Sequence, residues 1–189
     1  PNKKKEVLFV GRIVREKGAH LYVDAVHCLA REFSHWKFII CGSPKLGHND
    51  SKSFYASNVT QKFLDIGYNT SFTGYLKNDE ILKKMINASI VVVPSLWDEP
   101  YGLVVSEAMS SGCAVISSNR GGVPEILRGS GILIKNINKN KLINKMRLLM
   151  NNSSELQKFQ KLAWNNFSHT SKNHNQLLDQ HRIDIFNNF

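Results

Sequence analysis

Two carboxylates, Glu99 and Glu107, stand eight positions apart around Gly102 in the segment Asp98-Glu99-Pro100-Tyr101-Gly102-Leu103-Val104-Val105-Ser106-Glu107-Ala108-Met109. Upstream, Ser89-Ile90-Val91-Val92-Val93 is a short β-branched run stopped by Pro94, the pattern of a strand buried on both faces. Downstream, Val104, Val105, Ala108 and Met109 recur at helical spacing. The segment therefore reads as strand, loop, helix, with Gly102 and Leu103 in the helix's first turn. Backbone N–H groups there lack intrahelical partners and the helix dipole favours an anion, so the turn suits a phosphate. Glu107 lies about 7 Å further along the axis at 1.5 Å per residue, too far to serve the same phosphate and better placed to accept from sugar hydroxyls.

A second group of donors follows the first strand, in Phe9-Val10-Gly11-Arg12-Ile13-Val14-Arg15-Glu16-Lys17-Gly18. Arg12 and Lys17 come after the carboxyl end of that strand, the edge where open α/β sheets bind ligands. A planar guanidinium and a point-like ammonium are donors that suit a diphosphate. Alone the pair is a weak signal, because basic pairs are common on surfaces.

These loops need a scaffold, and the pattern supplies an alternation of strands and helices, the mark of a doubly wound parallel sheet of about six strands. Expected strands cover 6–10, 37–41, 70–73, 90–93, 114–117 and 131–134. Tyr22, Val26, Leu29, Ala30 and Phe33 share one helical face. Another helix is expected to start with Asn78 as its N-cap, Asp79 and Glu80 complementing the dipole, and Ile81, Leu82, Met85 and Ile86 facing inward. Residues 43–58, with Pro44, Gly47, Asn49 and Asp50, read as one long irregular connection. Beyond position 134 come Lys/Asn-rich helices over 139–150 and 154–165, then a polar segment, 170–189, with few apolar anchors of its own.

The chain has 189 residues, 42% hydrophobic and 21% charged, enough for a substantial core. The expected division is a single Rossmann-like domain with its core at 6–150 and a helical C-terminal segment at 151–189. A net charge of +10 favours phosphorylated or polyanionic partners, or an anionic membrane surface. No run approaches the roughly 18 apolar residues of a membrane span. Cys28, Cys41 and Cys113 have no metal-like spacing and cannot all pair, which fits a reducing cytoplasm; the scattered histidines, including His20, His27, His174 and His181, complete no metal shell. The opening Pro1-Asn2-Lys3-Lys4-Lys5 runs straight into a strand without a leader or an initiator Met, as in a fragment whose first domain is missing.

Taken together, a set of motifs resembles the nucleotide-binding half of a two-domain (GT-B) retaining glycosyltransferase of family 4. They are Phe9-Val10-Gly11-Arg12 with Glu16-Lys17-Gly18, the E-x7-E motif from Glu99 to Glu107 after Pro94-Ser95, Glu107-Ala108-Met109 with Gly112, and Gly121-Gly122-Val123-Pro124-Glu125. The resemblance covers residues 6–150 in order and spacing. It implies a donor site for a nucleotide-diphosphate sugar, which is a substrate, with no cofactor and no metal. Arg12 and Lys17 are implied to hold the diphosphate, with Gly11 beside them and the amides of Gly102 and Leu103 at the helix start. Glu107 is implied to accept from the ribose, Glu99 from the donor sugar, and Gly74-Tyr75-Leu76 to lie by the base; Tyr101 completes the set. Arg12, Lys17 and Glu99 are the candidates for stabilising the transferred group. The implied partners are a glycan or lipid-linked acceptor and an absent N-terminal domain, with a cytoplasmic location, peripheral contact with an anionic membrane, and a role in envelope or capsular polysaccharide synthesis. Trp97 reads equally as a pocket wall or as filling beneath the loop, and Gly121 and Gly122 equally as a positive-φ turn or as ligand contacts.

Three other classes compete. A non-catalytic nucleotide-sugar binding module shares every motif, although loss of function usually removes charged ligands first. A dinucleotide oxidoreductase needs G-x-G-x-x-G where this chain has Gly11-Arg12-Ile13-Val14-Arg15-Glu16. Nucleic-acid binding rests on charge alone, with no recognition helix or aromatic platform.

Overall fold

The computed structural model describes residues 3–43 and 54–167. All six apolar runs form strands: β1 (Lys4–Val10), β2 (Lys37–Cys41), β3 (Thr70–Phe72), β4 (Ala88–Val93), β5 (Ala114–Ser118) and β6 (Ile132–Ile134). Between and after them run α1 (Ala19–Leu29), α2 (Phe54–Leu64), α3 (Asn78–Asn87), α4 (Leu103–Ser110), α5 (Val123–Leu127), α6 (Lys139–Asn151) and α7 (Ser153–Asn166). The strands pair in parallel in the order β3-β2-β1-β4-β5-β6. This is a doubly wound, Rossmann-like sheet whose order reverses between β1 and β4, the place where such sheets bind ligands.

The two-residue period of the strands divides the core into two layers. Val7 and Phe9, Phe38 and Ile40, Ile90 and Val92, and Ala114 and Ile116 enter one layer, under α1, α2 and α6. Leu8 and Val10, Ile39 and Cys41, Val91 and Val93, and Val115 enter the other, with α4 and α5. Burial on both faces explains why β4 reads as an unbroken apolar run. The α1 stripe packs as its spacing predicts, with Tyr22, Val26, Leu29, Ala30 and Phe33 all buried. Tyr22 also carries a hydroxyl into this core, where it donates to the Val7 carbonyl (2.8 Å) and accepts from the Ile39 N–H (3.2 Å).

Three expectations change. Asn78 is the first helical residue of α3, and Lys77 is the N-cap, its N–H bonded to the Glu80 carboxylate at 2.9 Å. Ile81 and Met85 form the inward stripe of α3, whereas Leu82 and Ile86, about 100° round the helix from them, are exposed. The connection expected over 43–58 ends sooner, because Ala56, Val59 and Phe63 share a buried face and α2 begins at Phe54. Residues 44–53 and the polar segment 170–189 lie outside the described residues. Among the described residues no helix is long and apolar enough to cross a membrane.

Candidate functional site

The carboxyl ends of the first three strands are tied together by backbone. Gly11 N–H donates to the Cys41 carbonyl (3.0 Å), Gly42 N–H to the Gly74 carbonyl (2.9 Å), and Thr73 N–H to the Ile40 carbonyl (3.0 Å). A Cβ at position 42 would lie 1.9 Å from the Gly11 carbonyl oxygen, so this edge closes only around a glycine. From Gly11 the chain passes into a 3-10 turn, Arg15–Lys17, that ends in Gly18 at φ +69°. Gly18 meets the end of β4 so closely that a Cβ there would lie 2.0 Å from the Pro94 carbonyl oxygen. The two loops are then stitched together, with Leu96 and Trp97 N–H donating to the Glu16 carbonyl at 2.7 and 3.2 Å.

This stitching carries Lys17 to Glu99 across 82 residues of sequence. Their side chains form an ion pair, with Lys17 26% and Glu99 14% exposed. Ser95, buried at the end of β4, donates to the same Glu99 oxygen, Oε1, at 2.9 Å. The neighbouring acid behaves differently: Asp98 is exposed and among the described residues reaches only Arg120, at 3.5 Å. Glu99 is thus an ordered, inward-facing carboxylate and Asp98 a solvated one.

Gly102 caps α4 with φ +51°, and the N–H groups of Val105 and Ser106 bond back to its carbonyl. The Leu103 and Val104 amides ahead of them have no intrahelical acceptor. Gly121 and Gly122 support this loop from behind. A Cβ on Gly121 would lie 2.4 Å from the Glu99 carbonyl oxygen and one on Gly122 2.5 Å from that of Pro100, while Gly122 N–H donates to Glu99 O at 2.8 Å. Gly121 has φ +55°, but Gly122 sits at −78°, so close approach, and not left-handed geometry, requires the second glycine.

A cavity of about 320 Å³ opens at the β1/β4 switch point, walled by Gly11, Lys17, Glu99, Tyr101, Gly102 and Leu103. Its size is in the range of small-molecule sites. Six of the residues singled out in the sequence therefore meet there. The others do not reach its wall. Arg12 is exposed just beyond Gly11, with no carboxylate paired to it among the described residues. Glu107 is half-buried one turn beyond Leu103, and α4 turns it to the same side as Leu103 and Val104. Burial alone raises its pKa from the usual carboxylate value. Gly74 sits on the same sheet edge with φ +71°, Leu76 packs against the second core layer, and Tyr75 is 77% exposed. Trp97 is exposed and off the wall, so it neither lines this cavity nor fills space beneath the loop. Ser95 is the site residue that sequence reading left without a role. Its signal, Pro94-Ser95 at the end of a buried strand four residues before Glu99, is visible only once the loop's path is known.

Comparison with known proteins places this chain in a family. The chain is 29% identical over 172 residues to the lipopolysaccharide 1,2-N-acetylglucosaminetransferase of Salmonella typhimurium, a match covering 85% of this chain and 45% of that protein. The C-terminal domain of LpcC, a glycosyl transferase group 1 family protein of Francisella tularensis, superposes with a TM-score of 0.71 at 24% identity, over 87% of this chain and 85% of that one. Anabaena HepE, solved in complex with UDP-glucose, has the same fold with a TM-score of 0.74 at 21% identity, over 98% of this chain and 49% of that one. The chain spans about a third of the length of several curated relatives that it matches. The family model described as Glycosyl transferases group 1 matches residues 1–165, and the chain belongs to that family.

Proposed function

We propose that this chain is the donor-binding half of a retaining glycosyltransferase, which moves a hexosyl group from a nucleotide-diphosphate sugar to a glycan or lipid-linked acceptor. The observation that carries the reading is the meeting of Lys17, Glu99 and the first amides of α4 around one cavity at the switch point. As the bond from the sugar's anomeric carbon to the diphosphate breaks, negative charge gathers on the β-phosphate. Lys17 and the amides of Gly102 and Leu103 stand where that charge can be stabilised without a metal ion. Arg12, exposed on the same loop, adds its guanidinium when the diphosphate binds. Glu99 accepts from hydroxyls of the donor sugar, Glu107 from the ribose, and the base lies by Gly74, Tyr75 and Leu76. The acceptor oxygen bonds to the anomeric carbon on the same face and its proton leaves with the nucleoside diphosphate.

The acceptor pocket belongs to an N-terminal domain, so the 189-residue chain binds donor without transferring sugar. The Salmonella relative's name supports envelope polysaccharide as the product class, and HepE's bound UDP-glucose supports a nucleotide sugar as the ligand class. The charge of +10 supports work at the cytoplasmic face of an anionic membrane with a lipid-linked acceptor. A binding module without catalysis is the second reading, and the intact Lys17–Glu99 pair disfavours it.

Calorimetric titration with UDP, GDP and ADP and with a hexose derivative of each tests the reading. One nucleotide pair is expected to bind with 1:1 stoichiometry. Glu107→Gln should weaken both members of that pair, since both carry the ribose, whereas Glu99→Gln should weaken the sugar derivative alone by tenfold or more, about 1.5–3 kcal/mol. Absence of binding to all three pairs overturns the donor site, and acceptor-dependent nucleotide release by this chain alone overturns the half-site.

A further inference from the structure

Ser95 is fully buried where β4 ends, a position at which a hydroxyl must find partners. Its Oγ accepts from the Trp97 N–H at 3.3 Å. Its single proton has three acceptors in reach: Glu99 Oε1 at 2.9 Å, the Trp97 carbonyl at 3.1 Å and the Glu16 carbonyl at 3.2 Å. The nearest is also the only charged one, and a charge-assisted bond is about twice as strong as a neutral one, so the proton goes to Glu99. The Glu16 carbonyl already holds the Leu96 and Trp97 N–H groups and does not need it. Both Ser95 and Lys17 therefore use Oε1, which leaves the second carboxylate oxygen as the acceptor available to a ligand.

We propose that Ser95 is a positioning residue that sets the preference of the site for a nucleotide sugar over the free nucleoside diphosphate. This rests on the donor-site reading. A loop carboxylate must be ordered before it can read a hydroxyl, and Ser95 supplies that order in the fold instead of at binding. The same fixed charge stands beside the ammonium assigned to the phosphates. A free nucleoside diphosphate carries more negative charge on its terminal phosphate than the same phosphate esterified to a sugar, so the fixed carboxylate opposes it more strongly. A nucleotide sugar instead brings hydroxyls that donate to the carboxylate. After transfer, Glu99 has lost those hydroxyls and regains Lys17 as its partner, which favours release of the product.

The test is a double-mutant cycle between Ser95→Ala and Glu99→Gln. Affinities for UDP and UDP-glucose, GDP and GDP-mannose, and ADP and ADP-glucose are measured by calorimetry, with thermal midpoints alongside. In the wild-type background Ser95→Ala should weaken the nucleotide sugar about fivefold to tenfold and leave the free diphosphate unchanged or slightly tighter. In the Glu99→Gln background it should leave the ratio of the two affinities unchanged. Equal weakening of both ligands, or the same change of ratio with Glu99 already replaced, makes Ser95 a structural residue and overturns the inference while the donor site stands. If the wild-type chain binds none of the six compounds, the donor site fails and the inference fails with it.

Discussion

Lys3 and Lys17 stand at opposite ends of α4 and are held in opposite ways. Lys3, ahead of β1, donates to the Ser111 carbonyl at 2.6 Å and the Met85 carbonyl at 2.9 Å, at the C-terminal ends of α4 and α3. An ammonium there completes unpaired carbonyls and complements two helix dipoles at once. The nearby Cys113 thiol donates to the same Met85 carbonyl, and burial pushes its pKa to about 11, so Lys3 has backbone carbonyls and no anion as its principal partners. Lys17 is at the other end, on a cavity that receives the positive pole of α4, and its partner is the side-chain carboxylate of Glu99. Cavity size does not separate the two regions, since the one by Lys3, Gly112 and Trp164 holds about 290 Å³ against about 320 Å³. Chemistry does. Backbone acceptors fix a lysine for stability, whereas a carboxylate partner can be exchanged for a phosphate.

The largest expected effect lies at the Lys17 end, where two loops meet through glycine. Gly18→Ala should cost more than about 4 kcal/mol or prevent folding, because the new methyl group overlaps the Pro94 carbonyl. Gly74→Ala, at nearly the same φ but with nothing within 4 Å of its Cβ, should cost only the left-handed strain of about 1–2 kcal/mol. Denaturant midpoints of the two variants check this, and equal losses would show that φ, and not close approach, governs Gly18.

At the other end, Lys3→Ala should destabilise by about 2 kcal/mol, as expected when charge-assisted bonds to two part-buried carbonyls are lost. Urea unfolding measures it. A change below a few tenths of a kcal/mol would mean that water replaces the ammonium and that the two lysines differ less than their partners suggest.

Glu107→Gln sharpens the comparison in the opposite direction. Burial raises the Glu107 pKa, so the folded chain holds its proton to higher pH than the unfolded chain does. Wild-type stability is then lost as pH rises from the ordinary carboxylate value through the raised one, and Gln removes that loss. Near neutral pH the variant should be more stable by a few tenths of a kcal/mol, the size being limited by water screening of a half-exposed group; at pH 3 the two should unfold alike. A variant less stable at neutral pH would show that Glu107 supports the fold.

The strands were legible because burial on both faces demands continuous apolar runs, and the observed ends differ from those expected by two residues or fewer. The site was legible where chemistry depends on local spacing: Gly102 does open α4, and Gly11, Lys17, Glu99, Tyr101 and Leu103 do share its cavity. What depended on tertiary contact was not. The Lys17–Glu99 pair spans 82 residues, and nothing in either segment announces it. Ser95 stood in the sequence only as the lead-in to the E-x7-E motif, and its bond to Glu99 depends on the path of the loop between them. Leu82 and Ile86 have helical spacing but belong to a second stripe that no element covers among the described residues, so periodicity alone assigned them to the core. Gly122 has an ordinary φ, and its reason, the Pro100 carbonyl, comes from another loop.

The most direct test measures nucleoside diphosphate affinity and unfolding free energy for Lys17→Ala and Lys3→Ala side by side, using the diphosphate that the wild-type chain binds most tightly. Lys17→Ala should lose about tenfold to hundredfold in affinity, roughly 1.5–3 kcal/mol, with its stability nearly unchanged, and Lys3→Ala should lose stability while its affinity stays at the wild-type value. Wild-type affinity in Lys17→Ala would contradict the account, because the cavity at the β1/β4 switch point would then not be where the diphosphate binds.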